Sequence, residues 1–363
     1  MDLASLPLSL PGQHSVSEPS ARQVGVEPLH ENDPRRAGEI VLHGRLGVGG
    51  MGRVFFGVTP DHEAVAVKVI REDVFGRKEV LLRFQREIDA LRSVQSPAVA
   101  GLLDADPAPS FPWLAIEYVR GPSLLELVEN EKARLDPVQT AALGVVLAEA
   151  LGAIHEAGLL HRDLKPGNIL LGATGPKVID LGLVTYADTP GELTMTGAMM
   201  GTPVYMAPEQ AADTKSVTAA ADVYALGATL LFVLTGHYPY NAPNLPILRG
   251  RIMNPDLPPN LDGVPPVFTP LLTALLAQDP AARPTVAQAR ASLVELATAD
   301  GLPLPIVLRR LALATYRERP GDPPEVVPPP RPRRERVPRP AAHPAVAALA
   351  ANLRDAYAAD AAF

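Results

Sequence analysis

The first pattern along the chain is an alternation of apolar and polar side chains that predicts β-strands. Residues 64–70 read AVAVKVI, and such a period of two is typical of a half-buried strand. A second β-rich run, RVFFGV, precedes it across the turn-forming segment TPDHE. The alternation places Lys68 with Ala66 and Ile70 on the face opposite Val65, Val67 and Val69. The pattern therefore predicts an antiparallel meander of strands.

Helical spacing replaces this alternation further along the chain. Residues 77–94 carry an apolar stripe with a repeat of three to four residues, and Glu87 lies beside that stripe. The stripe consists of Val80, Phe84, Ile88 and Leu91. Residues 217–236 are apolar nearly throughout and carry Asp222, which predicts a helix buried in a soluble core.

Changes in composition divide the chain into four regions. Residues 1–38 are rich in Ser, Pro and small polar groups and predict a disordered N-terminal arm, whereas 39–298 hold the periodic segments of a folded domain. Residues 299–344 predict a Pro/Arg-rich linker, and 345–363 a short C-terminal helix. The apolar face of that helix would be Val346, Leu349, Leu353 and Tyr357. Two interpretations of the face stay open, a docking or autoinhibitory surface and a weak, exposed helix.

Composition and charge act mainly by exclusion. The 363 residues are 47% hydrophobic, enough for one large domain or two modest ones. The formal charge of -7 argues against a nucleic-acid partner, and the absence of cysteine excludes disulfides and thiolate chemistry. The chain starts without a secretory signal, and we identify no long apolar stretch free of charge. We therefore expect no membrane span and a cytoplasmic location.

A glycine-rich segment, GVGGMGRV from residue 47, is the first candidate for chemistry. Glycines at this spacing let a backbone turn tightly and approach phosphate oxygens. The same spacing occurs in dinucleotide-binding folds, but there a helix begins at the glycines. Here a β-rich run follows them, so the sequence favours a phosphate-binding loop between two strands.

Lys68 is the second candidate, because an ammonium among apolar strand neighbours needs an anion. Alone, it is equally compatible with an edge strand whose lysine reaches solvent. The predicted helix 77–94 supplies a partner, since it can present Glu87 to the strand. The ion pair would fix the direction of Lys68 so that it can hold phosphates.

Three further motifs then give a family resemblance. They are HRDLKPGN from His161, DLG from Asp180 and APE from Ala207. With the glycine loop and the Lys68–Glu87 pair, they make residues 39–298 similar to the bacterial eukaryotic-like (Hanks-type) serine/threonine protein kinases. This resemblance implies an α+β, two-lobed protein kinase fold, with an N-lobe of antiparallel sheet plus one helix and a mainly helical C-lobe.

The resemblance also implies roles for individual residues. Asp163 would orient or accept the proton of a substrate hydroxyl, and Lys165 would reach the transferring phosphate of ATP. Asn168 and Asp180 would hold Mg2+, or Mn2+ in its place. The adenine would lie against Val54, Ala66 and Leu170, with Ile116 behind it, and would bond to the backbone of Glu117 and Val119. The ATP-binding set further includes Leu46, Gly47, Val48, Gly49, Gly50, Met51, Gly52, Arg53, Lys68 and Glu87.

Substrate and regulatory residues follow from the same resemblance. Thr202 matches the threonine beside the catalytic aspartate that marks serine/threonine kinases. Thr194 and Thr196 lie where bacterial relatives autophosphorylate, and the Arg162 guanidinium could engage a phosphothreonine there; ordinary loop threonines are the other interpretation. Glu209 would pair with Arg283, and Asp222 would hold the catalytic-loop backbone, both as structural contacts.

The predicted function is transfer of the ATP γ-phosphoryl group to Ser or Thr hydroxyls of proteins. A pseudokinase should lack at least one of Lys68, Asp163, Asn168 and Asp180, and all four are present. A small-molecule kinase should lack Thr202 and the APE motif, which are also present. The activating signal is not readable, so we expect a regulatory partner or self-association to supply it.

Overall fold

The structure is a computed structural model that describes residues 26–48, 52–70, 78–107, 112–180, 203–212, 217–318 and 322. Its first part is an antiparallel sheet in the order β1-β3-β4-β5-β7-β6, with β2 also paired to β3. The strands are β1 Glu27–Pro28, β2 Arg36–Ala37, β3 Ile40–Val48, β4 Gly52–Val58, β5 Ala64–Ile70, β6 Leu102–Asp106 and β7 Trp113–Glu117. The predicted meander is confirmed as β3, β4 and β5.

The alternation in β5 produces the core of this sheet. Val65 and Val67 are fully buried and Val69 nearly so, and they cluster with Phe55 and Trp113 from β4 and β7. The opposite face of β5 meets helix α1, Lys78–Ser93. Phe84, Ile88 and Leu91 of the predicted stripe are buried in α1, which confirms that part of the pattern. The side chain of Val80 lies outside the described part of the structure.

The second part is mainly helical, as the sequence predicts. Its helices are α2 Leu124–Glu129, α3 Pro137–Glu156, α4 Pro208–Ala212, α5 Ala219–Thr235, α6 Leu245–Met253, α7 Thr269–Leu275, α8 Val286–Ala297 and α9 Leu304–Thr315. A two-stranded ribbon, β8 Ile169–Gly172 and β9 Gly175–Val178, lies between α3 and α4 in the chain. Helix α3 begins at a capping box, in which Asp136 accepts from the Gln139 amide and the Gln139 side chain accepts from Asp136.

Helix α3 is also long and apolar enough to cross a membrane by length and composition alone. Its most apolar window is 67% buried within the fold, where it packs against α5, α8 and α9. Sequence inspection had favoured residues 217–236 as the nearest approach to such a segment. Burial among other helices is typical of a core helix in a folded domain.

The start of the folded region lies earlier than predicted. The expected disordered arm, 1–38, is wrong for its last part, because β1 and β2 pair with β3. Asp33 is buried there and binds Arg45 through both carboxylate oxygens, at 2.5 and 2.6 Å. The polar composition of this segment gave no sign of folded structure in the sequence, because a buried ion pair and not an apolar stripe holds it in place. Residues 1–25 lie outside the described part.

The end of the folded region lies later than predicted. Residues 299–344 were expected to be a linker, but Leu304–Thr315 form helix α9. Val307, Leu311 and Ala312 of α9 are buried, and the helix packs on α3, β8 and β9. The signal was present as apolar residues at helical spacing, but the prolines at 303 and 305 obscured it; proline is tolerated in a first helical turn. The predicted linker and helix beyond 322 lie outside the described residues.

Candidate active site

Lys68 lies at the centre of the first cluster of charges. Its Nζ donates to Glu87 Oε1 at 2.7 Å and to Asp180 Oδ1 at 3.0 Å. Strand β5 holds the lysine, α1 presents Glu87, and Asp180 follows β9. The predicted Lys68–Glu87 pair is therefore confirmed, and the structure adds a carboxylate from the other lobe. Within the part of the chain that the structure describes, Oε2 of Glu87 is buried without a hydrogen-bond partner.

The cluster changes the pKa of each member. Burial alone would lower the pKa of the Lys68 ammonium, but the charges of Asp180 and Glu87 outweigh it and raise that pKa. The Lys68 charge lowers the pKa of Asp180. Burial raises the pKa of Glu87 despite its pair with Lys68. The result is a cation fixed in the cleft beside a carboxylate that remains ionised.

Asp163 is the centre of the second cluster. Lys165 Nζ donates to Asp163 Oδ2 at 2.8 Å, and Asn168 Nδ2 donates to Asp163 Oδ2 at 3.2 Å and to its backbone oxygen at 2.9 Å. The turn Pro166–Asn168 returns the chain so that these three residues meet. The charge of Lys165 also lowers the pKa of Asp180. The charges of the two clusters therefore act on the same region of the cleft.

Asp222 supports the loop that carries Asp163. Its carboxylate accepts from the backbone nitrogens of His161 and Arg162 at 2.9 and 2.7 Å, as predicted. His155 Nε2 also contacts Asp222 Oδ2 at 2.7 Å, a partner that the sequence did not reveal. A histidine near the end of a helix has no sequence pattern that predicts its partner, so this contact is recognised only from the folded structure.

Two residues of the site have left-handed backbones. Arg162 has φ 63° and Asp180 has φ 56°, values that are uncommon for residues other than glycine. Arg162 precedes Asp163 of the second cluster, and Asp180 belongs to the first. Strained backbone is often found at functional sites of this kind. The Arg162 carbonyl also accepts from Gln210 Nε2 at 3.0 Å, which ties helix α4 to this loop.

The predicted adenine-binding residues lie where β7 leaves the sheet. Ala66 of β5 pairs with Ile116, and Val65 with Glu117. The Glu117 amide donates to the Gly101 carbonyl at 2.9 Å, so a ligand contact at Glu117 would use its carbonyl. Lys177 of β9 binds the Glu117 carboxylate at 2.6 and 2.7 Å. This pair joins the segment between the lobes to the ribbon below it, a contact that the sequence analysis missed.

The glycine-rich loop is described only at its two ends. Gly47 pairs with Val54 and Val48 with Arg53, so β3 and β4 flank the loop as predicted. A Cβ on Gly52 would lie 2.5 Å from the Val69 carbonyl oxygen, so glycine permits the close approach of β4 to β5. Leu46 lies in β3 before this pairing. Gly49, Gly50 and Met51 are outside the described residues.

The activation segment is anchored at its end. Arg283 Nη1 and Nη2 donate to Glu209 Oε1 and Oε2 at 2.7 and 2.8 Å, which confirms the predicted pair. Residues 181–202 lie outside the described part, and they include the predicted Thr194, Thr196 and Thr202. These three threonines are therefore among the residues that the structure does not describe.

Comparison with known proteins agrees with this geometry. The family described as Protein kinase domain matches residues 40–293. The chain is 42% identical over 268 residues to the serine/threonine-protein kinase AfsK of Streptomyces griseus, covering 73% of this chain and 33% of AfsK. It is 34% identical over 292 residues to PknB of Mycobacterium tuberculosis, covering 77% of this chain and 46% of PknB. It thus spans between a third and a half of the length of these relatives.

A solved structure shows the same fold. The PknI kinase domain of Mycobacterium tuberculosis has a TM-score of 0.57 and 26% identity, with 71% of this chain and 96% of that domain covered. The match agrees with the antiparallel sheet and the helical lobe described above. The chain therefore belongs to the protein kinase family, in the Hanks-type branch of these bacterial serine/threonine kinases.

Proposed function

We propose that this chain is a serine/threonine protein kinase that transfers the γ-phosphoryl group of ATP to protein hydroxyls. The observation that carries the proposal is the convergence of two clusters, Lys68–Glu87–Asp180 and Asp163–Lys165–Asn168. Phosphoryl transfer needs positioning and charge neutralisation more than covalent chemistry. The clusters supply two ammonium groups, a carboxylate for the hydroxyl and oxygen ligands for a cation.

The residues present fit ATP with a divalent cation, and we propose Mg2+, with Mn2+ able to replace it. The Asn168 amide nitrogen is engaged by Asp163, which leaves its oxygen for the cation. Asp180 uses one oxygen for Lys68 and its side chain is 50% exposed. Hard oxygen ligands of this kind suit Mg2+ shared with phosphates. When bound, the metal would neutralise phosphate charge.

The chain's own residues then have separate tasks. Lys68, held by Glu87, would bind phosphate oxygens and fix their direction. Asp163 would orient the acceptor hydroxyl and accept its proton, while Lys165 would stabilise charge on the transferring group. A pseudokinase on the same fold is disfavoured because the four residues it tends to lose are present and in contact.

Regulation belongs to the same proposal. Autophosphorylation at Thr194 or Thr196 would order the activation segment by pairing with Arg162. Intact-mass and fragment spectra of an active preparation test this, and the absence of phosphate at both sites contradicts it. We further propose a cytoplasmic protein without a membrane span, acting on protein substrates and answering to a regulatory partner or self-association.

The test of the function is phosphoryl transfer from labelled ATP with Mg2+, using the chain itself and a generic basic protein as acceptors. The native chain should label Ser or Thr, and Asp163→Asn should lose the labelling by about 10²- to 10⁴-fold. ATP binding should persist in this variant, because Asp163 is assigned to the hydroxyl. Labelling that is equal in both proteins contradicts the assignment.

A further inference from the structure

Helix α9 continues the fold beyond the region that matches the protein kinase family. It starts at Leu304, whereas the match ends at 293. Val307, Leu311, Ala312 and Thr315 are 5% exposed or less. The helix packs on β8, which follows Asn168 in the chain, and on β9, which leads to Asp180. This extension therefore lies behind the residues proposed to hold the cation.

The chain after α9 reaches the segment between the lobes. Gly121 has φ 134°, and a Cβ there would collide with the Leu171 carbonyl and lie 3.4 Å from Cδ2 of Tyr316. Tyr316 thus packs against the end of that segment. Glycine is needed at 121 both for its backbone angle and for this close approach.

Tyr118 joins this extension to the sheet. Its hydroxyl donates to Asp322 Oδ1 at 2.7 Å. Its ring meets Phe56 of β4 edge-on, with centroids 5.1 Å apart and planes at 69°. Phe56 is 3% exposed, so the ring of Tyr118 is held against the N-lobe while its hydroxyl is bound by the extension.

We propose that residues 304–318 together with Asp322, here named the C-terminal strap, position the adenine-binding backbone. Tyr118 lies between Glu117 and Val119, so a contact that fixes Tyr118 also fixes both neighbouring peptide groups. Tyr118 and Asp322 are positioning residues, because they act on ATP through the backbone of the segment between the lobes. The nucleotide-binding unit therefore extends to at least residue 322. This inference builds on the proposed function.

The test compares ATP binding by calorimetry in Tyr118→Phe, Asp322→Ala and the double variant of the 363-residue chain, with Mg2+ present. Tyr118→Phe keeps the ring on Phe56 and removes only the hydroxyl. Each single variant should raise the Kd of ATP by about 3- to 10-fold, and the double variant should add little, because one bond is lost in all three. In steady state the KM for ATP should rise by the same factor with little change in kcat.

Tyr240→Phe is the matched control. Its hydroxyl donates to the Leu257 carbonyl at 3.0 Å and accepts from Gln278 Nε2 at 3.3 Å, both in the helical lobe. The variant therefore loses hydrogen bonds of a similar kind away from the segment between the lobes. It should bind ATP as the native chain does. A thermal unfolding curve of each variant shows whether reduced folding accounts for weaker binding.

Four outcomes decide between the proposals. Native-like Kd values in Tyr118→Phe and Asp322→Ala overturn the strap, as do fully additive losses in the double variant. An equal loss in Tyr240→Phe overturns it too, because the effect would then be general instability. A native chain that binds ATP but transfers no phosphoryl group overturns the proposed function alone, since the strap is measured by binding.

Discussion

Two buried ion pairs, Lys68–Glu87 and Arg283–Glu209, share a nitrogen–oxygen distance of 2.7 Å. They differ in their further hydrogen-bond partners and in the exposure of their side chains. All three nitrogens of Arg283 have acceptors. They are the carbonyls of Ala277, Ala220 and Gln278 and both oxygens of Glu209. Its guanidinium also lies 5.0 Å from the ring centroid of Tyr224, and its side chain is 0% exposed.

The Lys68 cluster is incomplete by the same measure. Glu87 Oε2 is buried without a partner among the described residues, the Lys68 side chain is 18% exposed and that of Asp180 is 50% exposed. Unused bonding capacity in a cleft is typical of a site that awaits a charged ligand, whereas a saturated pair has nothing left to bind. The catalytic pair and the anchoring pair therefore differ in how many of their polar atoms have hydrogen-bond partners, and not in their nitrogen–oxygen distance.

The largest expected effect is on stability, from Arg283→Met. Removal of the cation takes away the donor that binds the Glu209 carboxylate and the Ala277 and Gln278 carbonyls, which should lower the free energy of unfolding by about 3–5 kcal/mol. Chemical denaturation measures it. Arg290→Met is the control, because its pair with Glu149 is exposed on both sides and should contribute about 1 kcal/mol or less. Equal losses in the two variants would break the comparison.

Lys68→Met should show the opposite behaviour. Phosphoryl transfer should fall by about 10²- to 10³-fold, because a preorganised cation at the phosphates is lost. The free energy of unfolding should change far less than in Arg283→Met, since Glu87 has a raised pKa and can become neutral when its partner is gone. Initial rates and denaturation curves on the same preparation measure both. A stability loss as large as that of Arg283→Met contradicts the distinction.

How much of this was readable from the sequence depends on the kind of contact. Periodicity placed the strand of Lys68 and the helix of Glu87, and the motifs placed Asp163, Asn168 and Asp180. Contacts without periodic signal were missed: His155 with Asp222, Lys177 with Glu117 and Tyr118 with Asp322. Such pairs are set by three-dimensional proximity between residues 60 or more positions apart. The domain ends were misjudged for other reasons: polar composition concealed the segment of Asp33, and prolines obscured the helical spacing of α9.

Asp33 sharpens the comparison, because it is saturated like Arg283 yet lies near the phosphate-binding loop. It binds Arg45 of β3, and Arg53 of β4 lies at 3.5 Å. Asp33→Asn should lower the free energy of unfolding by about 1–3 kcal/mol and leave kcat nearly unchanged. Glu31→Gln, an exposed change of equal charge in the same segment, is the control. A fall in kcat without a loss of stability would show that saturation does not separate the two roles.

The sign of the pH dependence of Asp33 follows from its contacts. Burial would raise its pKa, but the bonds from Arg45 and His30 outweigh this and lower the pKa below 3.8. Its stabilising contribution is therefore fully present above about pH 4 and lost as the pH falls through the folded pKa. Acid unfolding of Asp33→Asn should begin from a lower stability and show a smaller slope below pH 4.

The smallest expected effect concerns His161, a buried group whose Nε2 has no hydrogen-bond partner in the described segments. Burial lowers its pKa from 6.5 despite the nearby charges of Asp222 and Asp163. The unfolded chain therefore binds the proton first, so stability is complete above about pH 6.5 and declines as the pH falls towards the folded pKa.

His161→Phe removes this proton from the balance, so the decline in stability below about pH 6.5 should become shallower. Denaturation midpoints at half-unit intervals measure the difference, and the two curves should run parallel above pH 7.5. Unlike Glu87, which pairs with the partly exposed Lys68, His161 is fully buried and bonds through Nδ1 to the Asp163 amide. A native-like pH slope in the variant would show that another group titrates, and that an unpartnered atom alone does not mark a functional site.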